Sequence, residues 1–454
     1  MVRRFFPAGF GRARFWRSAG PGLVALAWLS LLPGAQAQHG FFSLRHQKAA
    51  AKTQQPNKPF VSSSQPPAFE IPVEPLGFFA PGAIYQGQRE SLVSLDFLDE
   101  DRLLFSFHAP GLIRRAGDTS VQGNERQIRA LVLTLPQGTV SSEALWTLHD
   151  RARYLWMLND GKFLLRDRDS LQVGDATLEL KPSLHFQGPV LWLELSPTRE
   201  MLVTDSREPA NSTSGKSDPE SPEPATTTLA SDTQQTAGQP DIILRILHRT
   251  TGKVLLVSRV RSTVHLAINS EGYLESLRSR GREWILNLNY FTGGSKIIGK
   301  LDSTCAPSME FVSNKEVLVT TCNPDGGRWM VAMSTDGKRL WNVASPSIHI
   351  WPRLVMAPNG LRIARETLSV THPVDAFSPL SFDDVKGQLI EVHDAATGKL
   401  ELTAPASPVL DGGGNLAISP SGRRVAILNA GAIQVYELPA APPLPGAESA
   451  SPTR

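Results

Sequence analysis

Two cysteines and ten histidines are what this chain offers for nucleophilic, redox or metal chemistry. Cys305 and Cys322 flank one apolar hairpin: Pro307 to Val312 runs in, Ser313-Asn314-Lys315 turns, and Glu316 to Thr321 runs back. Opposite residues of an antiparallel pair share a constant index sum. A turn centred on Asn314 sets that sum near 628, and the two cysteines give 627. Their sulfurs are expected face to face, joined as a disulfide in an oxidising compartment. Such a loop gains about 3 kcal/mol in the chain-entropy model; the alternative is a pair of free buried thiols. Two cysteines lack the further ligands that zinc requires.

No histidine stands in a ligand pattern: His-Glu-x-x-His, Cys-x-x-Cys and Cys-x-x-Cys-His are all absent. His149-Asp150 and His393-Asp394 are adjacent pairs at turns, and neighbours on a strand point to opposite faces, so they read as polar turn residues. His265, in an apolar run, is the histidine expected to be buried or near a channel. There is no Gly-x-Ser-x-Gly elbow, and Gly293-Gly294-Ser295-Lys296 lacks phosphate-loop spacing and reads as a hairpin loop. Asp411-Gly412-Gly413-Gly414-Asn415 is the one segment with a case for a ligand. Its glycines allow close backbone approach and Asp411 could coordinate a cation, the competing reading being a flexible connection. Trp146, Trp156, Trp192, Trp284, Trp329 and Trp341 fall on apolar strands and read as packing residues rather than a sugar platform. The expectation is no catalytic residue, no cofactor, and Asp411 as the sole metal candidate.

The elements that would position these residues are short and repeated. Seven times an alternating apolar run meets a tight polar turn and a second apolar run. The turns centre on Asp99-Glu100, Asp160-Gly161, Pro197-Thr198, Glu271-Gly272, Asn314-Lys315, Asn359-Gly360 and Ser421-Gly422. Period-2 alternation between turn residues is the signature of strands, and no helical period competes. Seven such units predict an all-β fold, a seven-bladed β-propeller in which each blade needs its neighbours to bury its faces. A second turn, at 248–253, 334–338 and 393–399, ends in Gly-Lys between apolar strands and reads as an outer hairpin. The last blade shows only three strands, so Phe69-Glu70-Ile71-Pro72-Val73 is expected to supply the fourth and close the ring, with Pro72 on an edge.

The segment Leu416-Ala417-Ile418-Ser419-Pro420-Ser421-Gly422-Arg423-Arg424-Val425-Ala426 resembles the inner hairpin of bacterial WD-repeat-like propellers. Val331-Ala332-Met333-Ser334-Thr335-Asp336-Gly337-Lys338-Arg339-Leu340-Trp341 resembles the quinoprotein-type repeat. At the level of repeats the resemblance covers most of 90–438 and implies a propeller fold. The Gly-His and Trp-Asp dipeptides of the strict WD repeat are missing, so its hydrogen-bond network is not implied.

Around this body lie segments of other composition. Residues 1–37 carry five arginines and no acid, an 11-residue apolar run from Gly22 to Leu32, and Ala35-Gln36-Ala37, the pattern of a signal peptide cleaved before Gln38. Kept uncleaved, it would serve as a membrane anchor. The full chain has 46 Lys+Arg and 43 Asp+Glu; without the leader's five arginines 41 basic residues face 43 acidic ones, a net charge of −2. Nothing in that balance favours nucleic acid or anionic lipid. Residues 38–66 read as a disordered linker, 205–240 as a disordered insertion within a blade, and 439–454 as a disordered Pro/Ala-rich tail, leaving 67–438 for the propeller. The functional expectation is an exported, periplasmic or extracellular monomer without a membrane span once cleaved. It would be a non-catalytic scaffold holding a protein partner or small ligand on one propeller face. The rival readings are a metal-dependent hydrolase or lactonase-like propeller enzyme and a cell-envelope assembly factor.

Overall fold

The computed structural model describes residues 63–81, 90–109, 125–149, 151–208, 241–373 and 380–440. The expected leader, the linker up to residue 62, the insertion from 209 and the tail from 441 lie outside the described residues. Among the described residues no helix is long and apolar enough to cross a membrane.

Strand β1 (Phe69–Pro72) belongs to the last sheet of the ring. The first blade is β2 (Val93–Phe97), β3 (Arg102–His108), β4 (Arg126–Thr134) and β5 (Thr139–Leu148); the second is β6 (Leu155–Met157), β7 (Phe163–Asp167), β8 (Ser170–Gly174) and β9 (Lys181–His185). The third contains β10 (Val190–Leu195), β11 (Met201–Glu208), β12 (Asp241–His248) and β13 (Val254–Val260), and the fourth β14 (Gly272–Arg278), β15 (Glu283–Tyr290) and β16 (Ser295–Asp302). The fifth is β17 (Ser308–Ser313), β18 (Glu316–Cys322), β19 (Arg328–Ser334) and β20 (Arg339–Ser345); the sixth is β21 (His349–Met356), β22 (Arg362–Val370), β23 (Val385–Asp394) and β24 (Leu400–Ala406). The seventh has β25 (Leu416–Ile418), β26 (Arg424–Asn429) and β27 (Ala432–Glu437), with β1 paired outside β27. Every sheet is antiparallel and the blades form a seven-bladed β-propeller. All seven turns read from the sequence are inner hairpins. The predicted index sum of 628 is the register of β17 on β18, as in Glu310↔Leu318.

The hydrophobic core is a ring of seven clusters, each shared by two neighbouring blades. Side chains alternate across a strand, so consecutive residues serve opposite neighbours. On β18, Val317 and Val319 pack toward the fourth blade while Leu318 packs toward the sixth. On β26, Ala426 and Leu428 face the first blade, and Val425 and Ile427 the sixth. Because both faces are buried, these strands read as nearly unbroken apolar runs.

Hydrogen bonds between inner turns tie several neighbouring blades together. Asn159 Nδ2 donates to the Thr198 carbonyl (2.9 Å), Asn269 Nδ2 to that of Asn314 (3.1 Å) and Asn359 Nδ2 to that of Ser421 (2.7 Å). Across the closure, Ser421 N–H donates to Glu100 Oε1 and Arg424 Nη1 to the Glu100 carbonyl, both at 2.6 Å. Arg362, fully buried, binds Glu401 Oε2 and the carbonyls of Gly422 and Pro439, tying the sixth blade to the seventh. Pro72 sits on the outer edge of its sheet, where its missing N–H costs no ladder bond.

Three boundaries differ from the sequence reading. The insertion begins later than 205, because β11 runs through Glu208 with Asp205, Ser206 and Glu208 all buried. Ser206 and Glu208 are satisfied together, Glu208 accepting from Ser206 Oγ (2.8 Å) and from Arg245 Nη1 and Nη2 (2.6 and 2.9 Å), so composition misread them. The linker ends before residue 63, because Ser64 exchanges hydrogen bonds with Thr403 on the sixth blade (2.8 and 3.0 Å). The inner run of the fourth blade, Val264 to Ile268, makes only the single bridge Ile268↔Tyr273 instead of a strand. Its Val264 N–H is drawn to Asp205 Oδ2 of the third blade at 2.6 Å, away from β14.

Candidate functional site

Inner strands or inner segments of all seven blades line one cavity of about 410 Å³ on the propeller axis. Its charged and aromatic wall comes from separate elements: Asp96 from β2, Arg153 just before β6, Trp192 and Glu194 from β10, Arg199 from the β10–β11 turn, His265 before β14, Glu310 from β17 and Arg353 from β21. Trp192 and Glu194 are two apart and share a face of β10, while Leu193 packs into the core. The pairing register shifts between Val190 and Trp192, between Phe311 and Ser313, and between Ile350 and Arg353. Such irregularities re-aim side chains, here beside the residues that reach the axis. Arg199 takes φ +62°, a left-handed conformation uncommon outside glycine. It is a strained backbone position carrying a charged side chain into a cavity.

Electrostatics in the cavity are set by burial. Asp96 Oδ2 accepts from Ser94 Oγ at 2.6 Å, and its Oδ1 lies 3.7 Å from Arg353 Nη2. Burial raises its pKa, against the opposing pull of Arg353 and Ser94. Arg153 stacks its guanidinium 4.7 Å from the Trp156 ring centroid, donates Nε to the Leu155 carbonyl (3.1 Å) and places Nη1 4.0 Å from Glu194 Oε2. Burial, then Arg353, bring it down to about 10, still charged at neutral pH. Burial also lowers Arg199 and His265. The His265 ring lies parallel to Trp192, centroids 4.7 Å apart and planes 8° apart. Glu310 is pushed up to about 8, first by burial and then by the Glu194 carboxylate, so it holds its proton at neutral pH. Three guanidiniums thus face the carboxylates of Asp96 and Glu194, and the third acid is neutral.

Glu366 on β22 stands next to this wall, fully buried and pushed up to about 7 by burial, against Arg353 and a hydrogen bond from Gly414 N–H (3.0 Å). Its Oε2 has no partner. Gly413 and Gly414 allow this close approach. A Cβ on Gly413 would lie 2.2 Å from Glu366 Oε2, and one on Gly414 2.0 Å from the Val93 carbonyl. The Gly414 carbonyl accepts from Leu95 N–H (3.0 Å), joining the seventh blade to the first.

Asp411, half-buried, is not among the residues lining the cavity. Among the described residues no group of three or more His, Cys, Asp or Glu side chains is arranged to hold a metal ion. Cys305 and Cys322 are bonded, with Cα atoms 5.5 Å apart, and fasten the start of the strand that carries Glu310. His149 contacts Asp167 (2.7 Å) and Glu125 (3.3 Å), while Asp150 lies outside the described residues; His393 is buried with Nδ1 on the Gly398 carbonyl (3.1 Å). Gly293 and Gly294 form an open outer turn at φ +94° and +83°. Of the tryptophans, Trp146 packs on Phe163 of the next blade (5.5 Å) and Trp341 donates to the Ala395 carbonyl of the next (2.7 Å), but Trp156 and Trp192 line the cavity. Asp96, Glu194, Glu310, Arg153, Arg199 and Arg353 were missed from the sequence. Their signal was a charge inside an inner apolar run, as in Leu95-Asp96-Phe97, Leu193-Glu194-Leu195 and Met309-Glu310-Phe311.

No family model and no curated protein matches the chain. Among solved structures it is similar to a chain of the mitotic checkpoint complex, at 12% identity and TM-score 0.43, covering 82% of this chain and 95% of that one. Similar too is acylaminoacyl peptidase from Pyrococcus horikoshii, at 9% identity and TM-score 0.44, covering 77% of this chain and 50% of that one. A third is the β-propeller domain of the Trilobed protease from Pyrococcus furiosus, at 8% identity and TM-score 0.40, covering 74% and 91%. The chain thus spans about half the length of the peptidase. These likenesses carry nothing about activity.

Proposed function

We propose that the protein is an exported, non-catalytic propeller scaffold that binds its ligand or partner at the central channel, in keeping with the WD-repeat-like and quinoprotein-type resemblance of its hairpins. The observation that carries this reading is the mixed-charge cavity, to which every blade contributes. A cavity of this size suits a small ligand or an inserted side chain. Export rests on the charged, apolar and small-residue sequence of residues 1–37. Cell fractionation followed by N-terminal sequencing tests it, with Gln38 the expected first residue.

Binding is tested by affinity capture from the native envelope fraction with the parent and with Glu194→Lys. A partner identified by mass spectrometry, rebound in purified form by the parent and lost by the variant, supports the scaffold. A partner held equally by both places recognition elsewhere. Stable recovery of an envelope complex would favour the assembly-factor reading.

One observation favours an enzyme instead. Glu194 and Glu310 share the cavity, and Glu310 is held in its acid form, the division of roles between a base and a general acid. Turnover of ester, lactone or glycoside substrates by the parent, abolished in Glu310→Gln, would replace the scaffold reading with this one.

A further inference from the structure

We infer that the channel is a receptor for a small organic monocarboxylate with a flat or apolar body, bound between the guanidiniums of Arg153, Arg199 and Arg353. The inference deepens the channel-binding reading and rests on it. Three features carry it. First, the arginines converge on one cavity without being neutralised at hydrogen-bond distance by the carboxylates there: the ion pairs are Arg353 to Asp96 at 3.7 Å and Arg153 to Glu194 at 4.0 Å. The Nε of Arg353 is buried with no hydrogen-bond partner. A planar carboxylate is the group that guanidinium forks bind best.

Second, the charge on the wall favours an anion of low charge. Three guanidiniums face Asp96 and Glu194, while Glu310 keeps its proton near neutral pH and Glu366, which interacts with Arg353, is pushed up to about 7. A phosphate dianion would be repelled by Asp96 and Glu194. Third, the wall also carries apolar and aromatic side chains, with Trp192 and His265 stacked as a flat panel and Trp156 beside Arg153. That surface suits an apolar body attached to the charged group.

Arg199 gives the decisive variant. At φ +62° glycine is at ease where arginine is strained, so Arg199→Gly should melt at the same temperature as the parent or higher. The purified chain and this variant are titrated calorimetrically with phenylbutyrate, phenylbutanol, phenylbutylamine and inorganic phosphate. The expected result is binding of phenylbutyrate at least about tenfold tighter than of the alcohol, the amine or phosphate, and an Arg199→Gly variant weaker for phenylbutyrate by about tenfold with its fold intact. Equal binding of the alcohol or amine would overturn the carboxylate assignment and leave the channel-binding reading standing. Equal binding of phenylbutyrate by Arg199→Gly, or no binding at millimolar concentration, overturns the inference. Envelope capture with the Glu194→Lys control then decides the underlying reading separately.

Discussion

Replacing Glu310 by glutamine isolates the electrostatics of the channel. Burial and the Glu194 carboxylate push this acid from 4.5 up to about 8, with Arg153 pulling the other way. Between those two values the folded protein holds a proton that the unfolded chain has released. When the native state binds more protons, stability falls as pH rises, so the parent loses stability through this window. Below 4.5 the acid is neutral in both states; above about 8 it is ionised in both, and the full cost of a buried carboxylate is felt. The span corresponds to at most about 5 kcal/mol. Glu310 is only partly buried, so solvent screens the charge, and about 2 kcal/mol is the magnitude expected. Glutamine keeps the shape without the charge. The difference in stability between Glu310→Gln and parent should therefore be near zero at the acid end and grow to about 2 kcal/mol in favour of the variant above about pH 8. Urea denaturation of both proteins across this range measures it, read from midpoints at unchanged slope. Glu366 and Asp205, each pushed up to about 7 by burial, tilt both curves alike and cancel in the difference. A difference that stays flat with pH, or a variant less stable than the parent at the alkaline end, refutes the reasoning.

Other perturbations test the ring and its fastenings. Deleting residues 67–76 removes the strand that pairs with β27 and the buried Ile71 and Val73; the whole propeller should melt in one transition at lower temperature, and a deletion that melts like the parent refutes closure. Ile71→Ala alone should cost about 2–4 kcal/mol in denaturant unfolding. Gly414→Ala forces a Cβ to 2.0 Å from the Val93 carbonyl at φ +112° and should cost more than about 2 kcal/mol. Gly431→Ala, at φ +81° in open space, should cost only about 1 kcal/mol, and equal costs would refute the steric argument. Cys305→Ser should lower stability by about 3 kcal/mol relative to the oxidised parent, and reductant should then have no further effect on the variant.

The hairpins were legible because their determinants are local. Alternation such as Ser94-Leu95-Asp96-Phe97-Leu98, followed by Asp99-Glu100, fixes strand, turn and strand within a dozen residues. The closing strand was legible by subtraction, since three strands in the last blade demand a fourth and Phe69 to Pro72 stood free. Where satisfaction is by polar partners, as for Ser206, Glu208 and Arg245, composition pointed the wrong way. The glycines of the Asp411 segment were read as allowing close backbone approach, and in the structure Gly413 and Gly414 approach Glu366 and Val93.

The candidate site was the part that sequence alone did not reveal. Asp96, Arg153, Glu194, Glu310 and Arg353 are each an isolated charge in a different blade, and nothing near any of them in the chain announces the others. The local pattern determined seven sheets with two buried faces. Only closing them into a circle brought the inner edges onto one axis, where burial shifts Asp96, Arg153 and Glu310 and proximity makes a single site of the five. Backbone alternation acts over a few residues, whereas the electrostatics of a cavity depend on whatever the fold places within a few ångströms.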